Sequence, residues 1–449
     1  MLQRQIGSLF LLIIGLGFAS AQWRVDTLGK GQFHKPFHVV VGDARGDGIR
    51  RVYVTTDSGP VTEWRRQGSS WSSTVVSARG GHIPIMVIAK THGDGLPRLY
   101  WTGFGNGDDE FVEASWNGSK WVLDTILANI KSLSLYAGVG RNDGKERLYL
   151  AKTGVGAGLL EYSWNGTSFD SVRIHSSSVE GSGIIGDVVG DGLQHLVANS
   201  SILQLGTWNG SKYSLNLIDS TAKYPDPVTQ GDPIGDGINK IYVNGSQGRL
   251  QYAWNGVSWS KTILDPKVQR GDLHMAQTYS NGRSRLYTTF SGKPNNVPPA
   301  GPLREYSWVG GVLDSTKILD GISGATAMLG SGSGRNDDTV RLYAPNYQGG
   351  FVYELTSPDP YVVPASVSIK NREPGNNVWL NGRNLLKWLE QQDRAAVVTL
   401  YDLTGKILMS KPANEWKATD IHRIMQGLHL LQIRDHGKTE VFPYFVEAK

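Results

Sequence analysis

Short apolar or alternating runs of four to eight residues, separated by Gly, Asn and Asp, fill most of the chain between residues 23 and 355. Runs of that length bounded by turn residues predict β-strands rather than helices. In the first cycle, His38-Val39-Val40-Val41, Arg51 to Thr55, Val61 to Trp64 and Ser70 to Val76 form four such runs, here strands a to d. The same four-run cycle then recurs along the chain, so the elements predicted are repeated four-stranded antiparallel sheets.

The connections carry the clearest marks of the repeat. Between a and b stands a Gly-Asp-Gly or Asn-Asp-Gly turn, followed by a basic residue, Leu, Ile or Val, and Tyr: Gly46-Asp47-Gly48 before Arg51-Val52-Tyr53, then Gly93-Asp94-Gly95 before Arg98-Leu99-Tyr100. Asn142-Asp143-Gly144, Gly190-Asp191-Gly192 and Gly235-Asp236-Gly237 continue the series, and Asn281-Gly282 and Asn336-Asp337 complete it. From Tyr53 to Tyr343 the spacings are 47, 49, 48, 45, 45 and 56, which makes seven copies. Between c and d most copies have Trp-Asn-Gly, as at Trp116-Asn117-Gly118 and Trp164-Asn165-Gly166. Asn-Gly between aromatic runs is a strong hairpin signal because both central residues adopt positive φ. Four strands in a repeat of this length describe a propeller blade.

The seventh copy ends after Phe351-Val352-Tyr353-Glu354-Leu355 without a fourth strand. Trp23-Arg24-Val25-Asp26-Thr27-Leu28 matches Trp121-Val122-Leu123-Asp124-Thr125-Ile126 of a complete copy, and its distance to the next turn matches too. The N-terminal strand is therefore expected to complete the last blade, which removes an exposed sheet edge. The fold expected is all-β: a seven-bladed β-propeller followed by a small β-sandwich. Its boundaries are residues 1–21 for a signal peptide, 22–356 for the propeller, 357–366 for a linker and 367–449 for the C-terminal domain.

Two family resemblances follow from these residues. The Gly-Asp-Gly loops resemble those of bacterial FG-GAP/VCBS-like propellers over about residues 23–355, a likeness of architecture that implies no single activity. After Ser357-Pro358-Asp359-Pro360 the pattern changes. Val397 to Leu408 reads as strand, turn, strand, and Gly427 to Arg434 with Thr439 to Val446 reads as a second hairpin. This order resembles the C-terminal sorting domain of type IX secretion cargo in Bacteroidetes-like bacteria, which implies passage across the outer membrane by that machinery. Pro443 interrupts the final run and fits best on an edge strand.

Composition agrees with the strand pattern and adds a compartment. Glycine is 56 of 449 residues, aromatic residues are 10% and charged residues only 19%, so the chain is turn-rich but too aromatic for disorder. Arg4, the run Leu9-Phe10-Leu11-Leu12-Ile13-Ile14 and Ala19-Ser20-Ala21 have the order of a secretory signal. No later segment approaches a membrane span. With no cysteine, disulfides, thiolate metal sites and a lipid-bearing N-terminal Cys are excluded. The formal net charge is +5 without a clustered basic footprint, which argues against nucleic acid. A monomer, secreted or displayed at the outer cell surface through the periplasm, is expected.

Several constellations invite a functional reading. Asp43-Ala44-Arg45-Gly46-Asp47-Gly48 has the beginning of a calcium loop, but Arg45 stands at the third position and Arg51 at the ninth. Asp187 and Asp191, or Asp232 and Asp236, offer only two carboxylates per loop. Calcium is disfavoured, and no cofactor is expected. Arg45-Gly46-Asp47 and Arg270-Gly271-Asp272 spell an integrin-type tripeptide, attributed to chance. Trp64, Trp116, Trp164, Trp208, Trp254 and Trp308 occupy one position per blade; packing between blades is the expectation, with sugar-stacking platforms as the alternative. The d-to-a and b-to-c connections do not repeat, and a propeller gathers them on one face. They hold the candidate binding residues His34, His38, Arg79, His82, His175, Tyr224, Asp226, Arg270, Asp272 and His274, with Lys35 beside them. A scattered polar rim is the plainer reading of these histidines, and a base or metal site the sharper one. The expected function is non-catalytic binding of an extracellular glycan or protein. The alternative is a secreted polysaccharide-degrading enzyme, lyase or glycosidase, working at the channel mouth.

Overall fold

The computed structural model describes residues 22–103, 110–153, 157–176, 183–199, 202–222, 227–267, 271–289, 301–309, 312–322, 328–363, 397–401, 407–412, 427–435 and 438–446. They form a seven-bladed β-propeller and a separate four-stranded sheet. Blade 1 runs Pro36–Gly42, Arg51–Thr56, Val61–Gln67 and Ser70–Ser77, each strand antiparallel to the one before. Five further blades repeat this order, and the last consists of Gly330–Gly332, Arg341–Asn346, Phe351–Thr356 and the N-terminal strand Arg24–Leu28. Arg24 pairs with Thr356 and Leu28 with Val352, so the ring is closed by strand pairing between its two ends. Trp23 packs edge-on against Tyr279 and Tyr287 of blade 6, centroids 5.9 Å away in each case.

The b strands carry the core. Every residue of Arg51–Thr56 and of Arg98–Thr102 is buried, whereas half of the d strand Ser70–Ser77 is exposed. Tyr53, Tyr100, Tyr149, Tyr242, Tyr287 and Tyr343, the repeated tyrosines, are all fully buried. The a strands stand innermost. Each ends on a small residue: Gly42, Ala89, Gly138, Gly186, Gly231, Ala276 and Gly332. A Cβ on Gly138 would meet the Cβ of Ile185 at 2.6 Å, and one on Gly42 would meet Ile88 at 2.7 Å. Gly231 likewise lies under Met275, and Gly332 under Val41. The penultimate residue of each inner strand thus sits over the terminal glycine of the blade before it. Where that terminus is alanine, at Ala89 and Ala276, the next blade offers Ala137 and Ser331 at the matching place. This complementarity sets how closely seven inner strands approach.

The propeller unit extends to Val362. Tyr361 donates its N–H to Thr278 (2.9 Å) and accepts from Val340 (2.8 Å), while Ser357 Oγ reaches the Thr278 carbonyl at 2.6 Å. The second unit, Val363–Lys449, contains the two expected hairpins joined into one sheet in the order Ile407–Pro412, Val397–Tyr401, Gly427–Asp435, Lys438–Val446. Pro443, opposite Leu430, falls on an edge strand. Among the described residues no helix is long and apolar enough to cross a membrane.

Candidate functional site

The two ends of the propeller use their polar residues differently. At the a-to-b end the repeated acids are internal fastenings. Asp43 accepts the N–H of Asp47 (3.1 Å) on one oxygen and of Gly48 (2.7 Å) on the other. Asp187 does the same for Gly190 and Gly192, and Asp232 for Gly235 and Gly237. The turn aspartate then reaches the basic residue four positions on: Asp47 to Arg51 (2.7 and 2.6 Å), Asp94 to Arg98 (3.0 and 2.6 Å), Asp143 to Arg147 and Asp337 to Arg341 (2.7 and 2.6 Å each). These guanidinium hydrogen bonds hold Asp47, Asp94 and Asp143 down to about 2. Fork-to-fork pairing of this kind uses both carboxylate oxygens, and among the described residues no group of three or more His, Asp or Glu could hold a metal ion.

A second layer lies beneath. Glu63, Glu113, Glu161, Glu305 and Glu354 on the c strands stand opposite the repeated tyrosines. Buried Glu161 accepts from Tyr149 (3.1 Å) and Tyr213 (2.9 Å) and is paired with Arg141 at 2.5 Å. Arg45 grips Glu63 at 2.7 and 2.6 Å. The guanidinium of Arg45 lies 3.5 Å over Trp116 of the next blade and that of Arg141 4.1 Å over Trp208, while His92 stacks on Trp164 at 3.8 Å. Trp64 is buried against Phe33, and Trp308 packs on Tyr242. These repeated tryptophans are used in packing, and Trp116, Trp164, Trp208 and Trp308 pack between blades. Of the integrin-type tripeptides, the first is tied in, since Arg45 and Asp47 have the partners above, and Asp272 of the second is buried.

The opposite end gathers the non-repeating connections. His38 lines the inner wall, where its Nδ1 accepts the Met86 N–H at 3.0 Å. The neutral ring therefore carries its proton on Nε2, a donor and no metal ligand. Burial, with a smaller push from His274, lowers it to about 3. His274, lowered to about 4 by burial, has Nε2 2.8 Å from Ser331 Oγ. Asp272 accepts the Leu329 N–H at 2.6 Å and its own N–H donates to Thr289 Oγ1 at 3.0 Å, which ties blade 6 to blade 7. His34 is exposed ahead of blade 1. His175 ends the outermost strand of blade 3, three strand spacings or about 14 Å from that blade's inner strand. The four histidines His38, His82, His175 and His274 thus do not converge on one point. Tyr224, Asp226 and Arg270 lie outside the described residues.

Two features at this end were not foreseen. The first is a cleft of about 300 Å³ lined by Arg79, Trp101, Glu110 and Asn129. The second is a cluster around Asp57, which is 4% exposed in the b-to-c turn of blade 1. His82 Nδ1 is 2.5 Å from Asp57 Oδ1, and Tyr347 of blade 7 donates its hydroxyl to Oδ2 at 2.5 Å. The Ile83 N–H (3.3 Å) and Ser58 Oγ (3.2 Å) also donate to Oδ1. Burial pushes Asp57 up, but the hydrogen bonds from Tyr347, Ile83 and His82 outweigh it and leave the carboxyl below its usual range. Burial and the same carboxylate push the Tyr347 hydroxyl up. Neither Asp57 nor Tyr347 belongs to the repeat, and only their departure from it could have marked them.

No family model matches the sequence, and no curated protein matches it. Solved structures do. An Agrocybe aegerita lectin specific for non-reducing terminal N-acetylglucosamine is 14% identical, with a TM-score of 0.45, 71% of this chain and 94% of the lectin covered. A Bacillus licheniformis rhamnogalacturonan lyase is 12% identical, with a TM-score of 0.45 and coverage of 75% and 76%. BBS1N, solved in complex with ARL6DN, is 12% identical, with a TM-score of 0.48 and coverage of 76% and 97%.

Proposed function

We propose that this chain is an exported, non-catalytic propeller that binds a glycan at the cell surface through its irregular loop end. The observation that carries the reading is the contrast between the two ends. The repeated acids, arginines and tryptophans hold blades together, while the loop end keeps a cleft lined by a cation, a carboxylate, an amide and the edge of buried Trp101. Such a mixture, in a cavity at the small end of ligand-pocket volumes, suits hydroxyl-rich ligands. The FG-GAP/VCBS-like loops and the C-terminal hairpins fit this reading: the module after Val362 acts as a type IX sorting domain, and a protein ligand is the other partner class considered.

A glycan array probed with the full chain tests the proposal. Saturable binding of a defined glycan set, weakened at least tenfold by Arg79→Ala, is the expected result. No binding to any glycan would contradict it. The Asp57–His82 pair favours a second reading, an enzyme acting on polysaccharide; release of shortened or unsaturated products from the bound glycans would establish it instead.

A further inference from the structure

We propose that His82, backed by Asp57 and Tyr347, is a hydrogen-bond acceptor that meets a hydroxyl of the bound ligand. The inference rests on the glycan-binding reading and names the chemistry of one contact within it. His82 Nδ1 faces a buried carboxylate at 2.5 Å, so Nδ1 carries hydrogen and Nε2 lies on the opposite side of the ring. The ring itself is 43% exposed, whereas Asp57 is nearly sealed. A carboxylate that fixes one imidazole nitrogen as donor leaves the other as acceptor.

The arrangement is assembled from three distant segments. Asp57 comes from the b-to-c turn of blade 1, His82 from the connection into blade 2, and Tyr347 from the b-to-c turn of blade 7. The Asp57 N–H donates to the Lys35 carbonyl (2.9 Å), and the Ser58 N–H to that of Gly81 (2.8 Å), so the loops are pinned to one another. Lys35, Ser58 and Ile83 adopt φ of 50°, 56° and 49°. Positive φ is unfavourable for any of these residues and most of all for β-branched Ile83. The Lys35 ammonium stands 5.6 Å over the Tyr347 ring. Tyr347 satisfies the second Asp57 oxygen, and the carboxylate is thereby held as an anion for the imidazole. His38 has the opposite tautomer and cannot accept at Nε2.

Long-range ¹H–¹⁵N spectra of the ¹⁵N-histidine-labelled full chain at pH 7.5 test the inference, with methyl glycosides of hexoses, 6-deoxyhexoses and hexuronic acids as probes. The expected His82 tautomer has Nδ1 protonated and Nε2 bare. A bound glycoside should shift His82 Nε2 and leave exposed His34 unmoved. Asp57→Asn should scramble the tautomer and weaken binding at least tenfold. Tyr347→Phe, which removes one hydroxyl and keeps the ring, should weaken it severalfold if Asp57→Asn does not fold. An Nε2-protonated His82, or a glycoside bound without change at His82, would overturn the inference. Failure of the wild type to bind any glycoside, with the expected tautomer in place, would instead overturn the glycan reading beneath it.

Discussion

Blade 4 has no counterpart of the Arg45–Glu63 pair: Val189 stands where Arg45 does, and Leu205 takes the place of Glu63 opposite the b strand. The fold therefore contains both solutions to one position, ionic and apolar. Glu63→Leu alone would strip the partner from Arg45, which is 15% exposed, and remove the 3.4 Å contact to Arg51 Nε. Breaking a buried pair from one side costs about 3–5 kcal/mol, and the Trp116 ring beneath Arg45 places this case near the lower end, about 3 kcal/mol. Adding Arg45→Val gives the blade 4 residues at these two positions, with Arg51 still held by Asp47 and Tyr53 kept where blade 4 has Val197. The double variant should then lie within about 1 kcal/mol of wild type, the remaining loss being the cation–π contact. Urea unfolding followed by tryptophan fluorescence, run as a double-mutant cycle, should show a coupling of at least about 2 kcal/mol. If the double variant is as unstable as the two single losses added together, the pair is not the interchangeable unit described here.

Three further outcomes are expected. His38 and His274 are held neutral, at about 3 and about 4, below the unfolded value near 6.5; unfolding takes up protons in that interval. Stability should be full above about pH 6.5 and fall toward pH 4, by up to about 1.4 kcal/mol per pH unit for each histidine, and His38→Gln should flatten the slope of urea midpoint against pH. Gly138→Val puts a branched side chain against Ile185, whose Cβ is already 2.6 Å from where a Cβ at Gly138 would stand; a loss of about 1–3 kcal/mol in the same assay is expected, and none if the inner strands can spread. Removal of residues 363–449, beyond the Tyr361 pairing, should leave a folded propeller in the periplasm, and normal surface arrival of that truncation would sink the sorting assignment.

The blade count was legible because Asp, Gly, a basic residue and Tyr recur at one spacing, and each is required by the same local chemistry in every copy. The Asp47–Arg51 separation of four residues was visible, but its meaning was not, since a turn aspartate reads equally as a cation ligand until its guanidinium partner is placed. The closing strand was legible too, because Trp23 to Leu28 repeats a pattern found elsewhere. The small residues from Gly42 to Gly332 were harder: their partners, such as Ile185 over Gly138, belong to the next blade. Asp57 and Tyr347 are 290 residues apart, and no periodicity links them. Only ring closure brings blade 7 beside blade 1, so the cluster could not be read before the ring was built.

Hydrogen–deuterium exchange of the full chain, with and without the glycan selected on the array, tests the division between the two ends most directly. Protection confined to the loop end, at residues 57–59, 79–83, 110–112, 128–130 and 347–350, is the predicted result. Protection at the Gly-Asp-Gly turns of residues 43–50, 90–97 and 139–146, with the loop end unchanged, would contradict it.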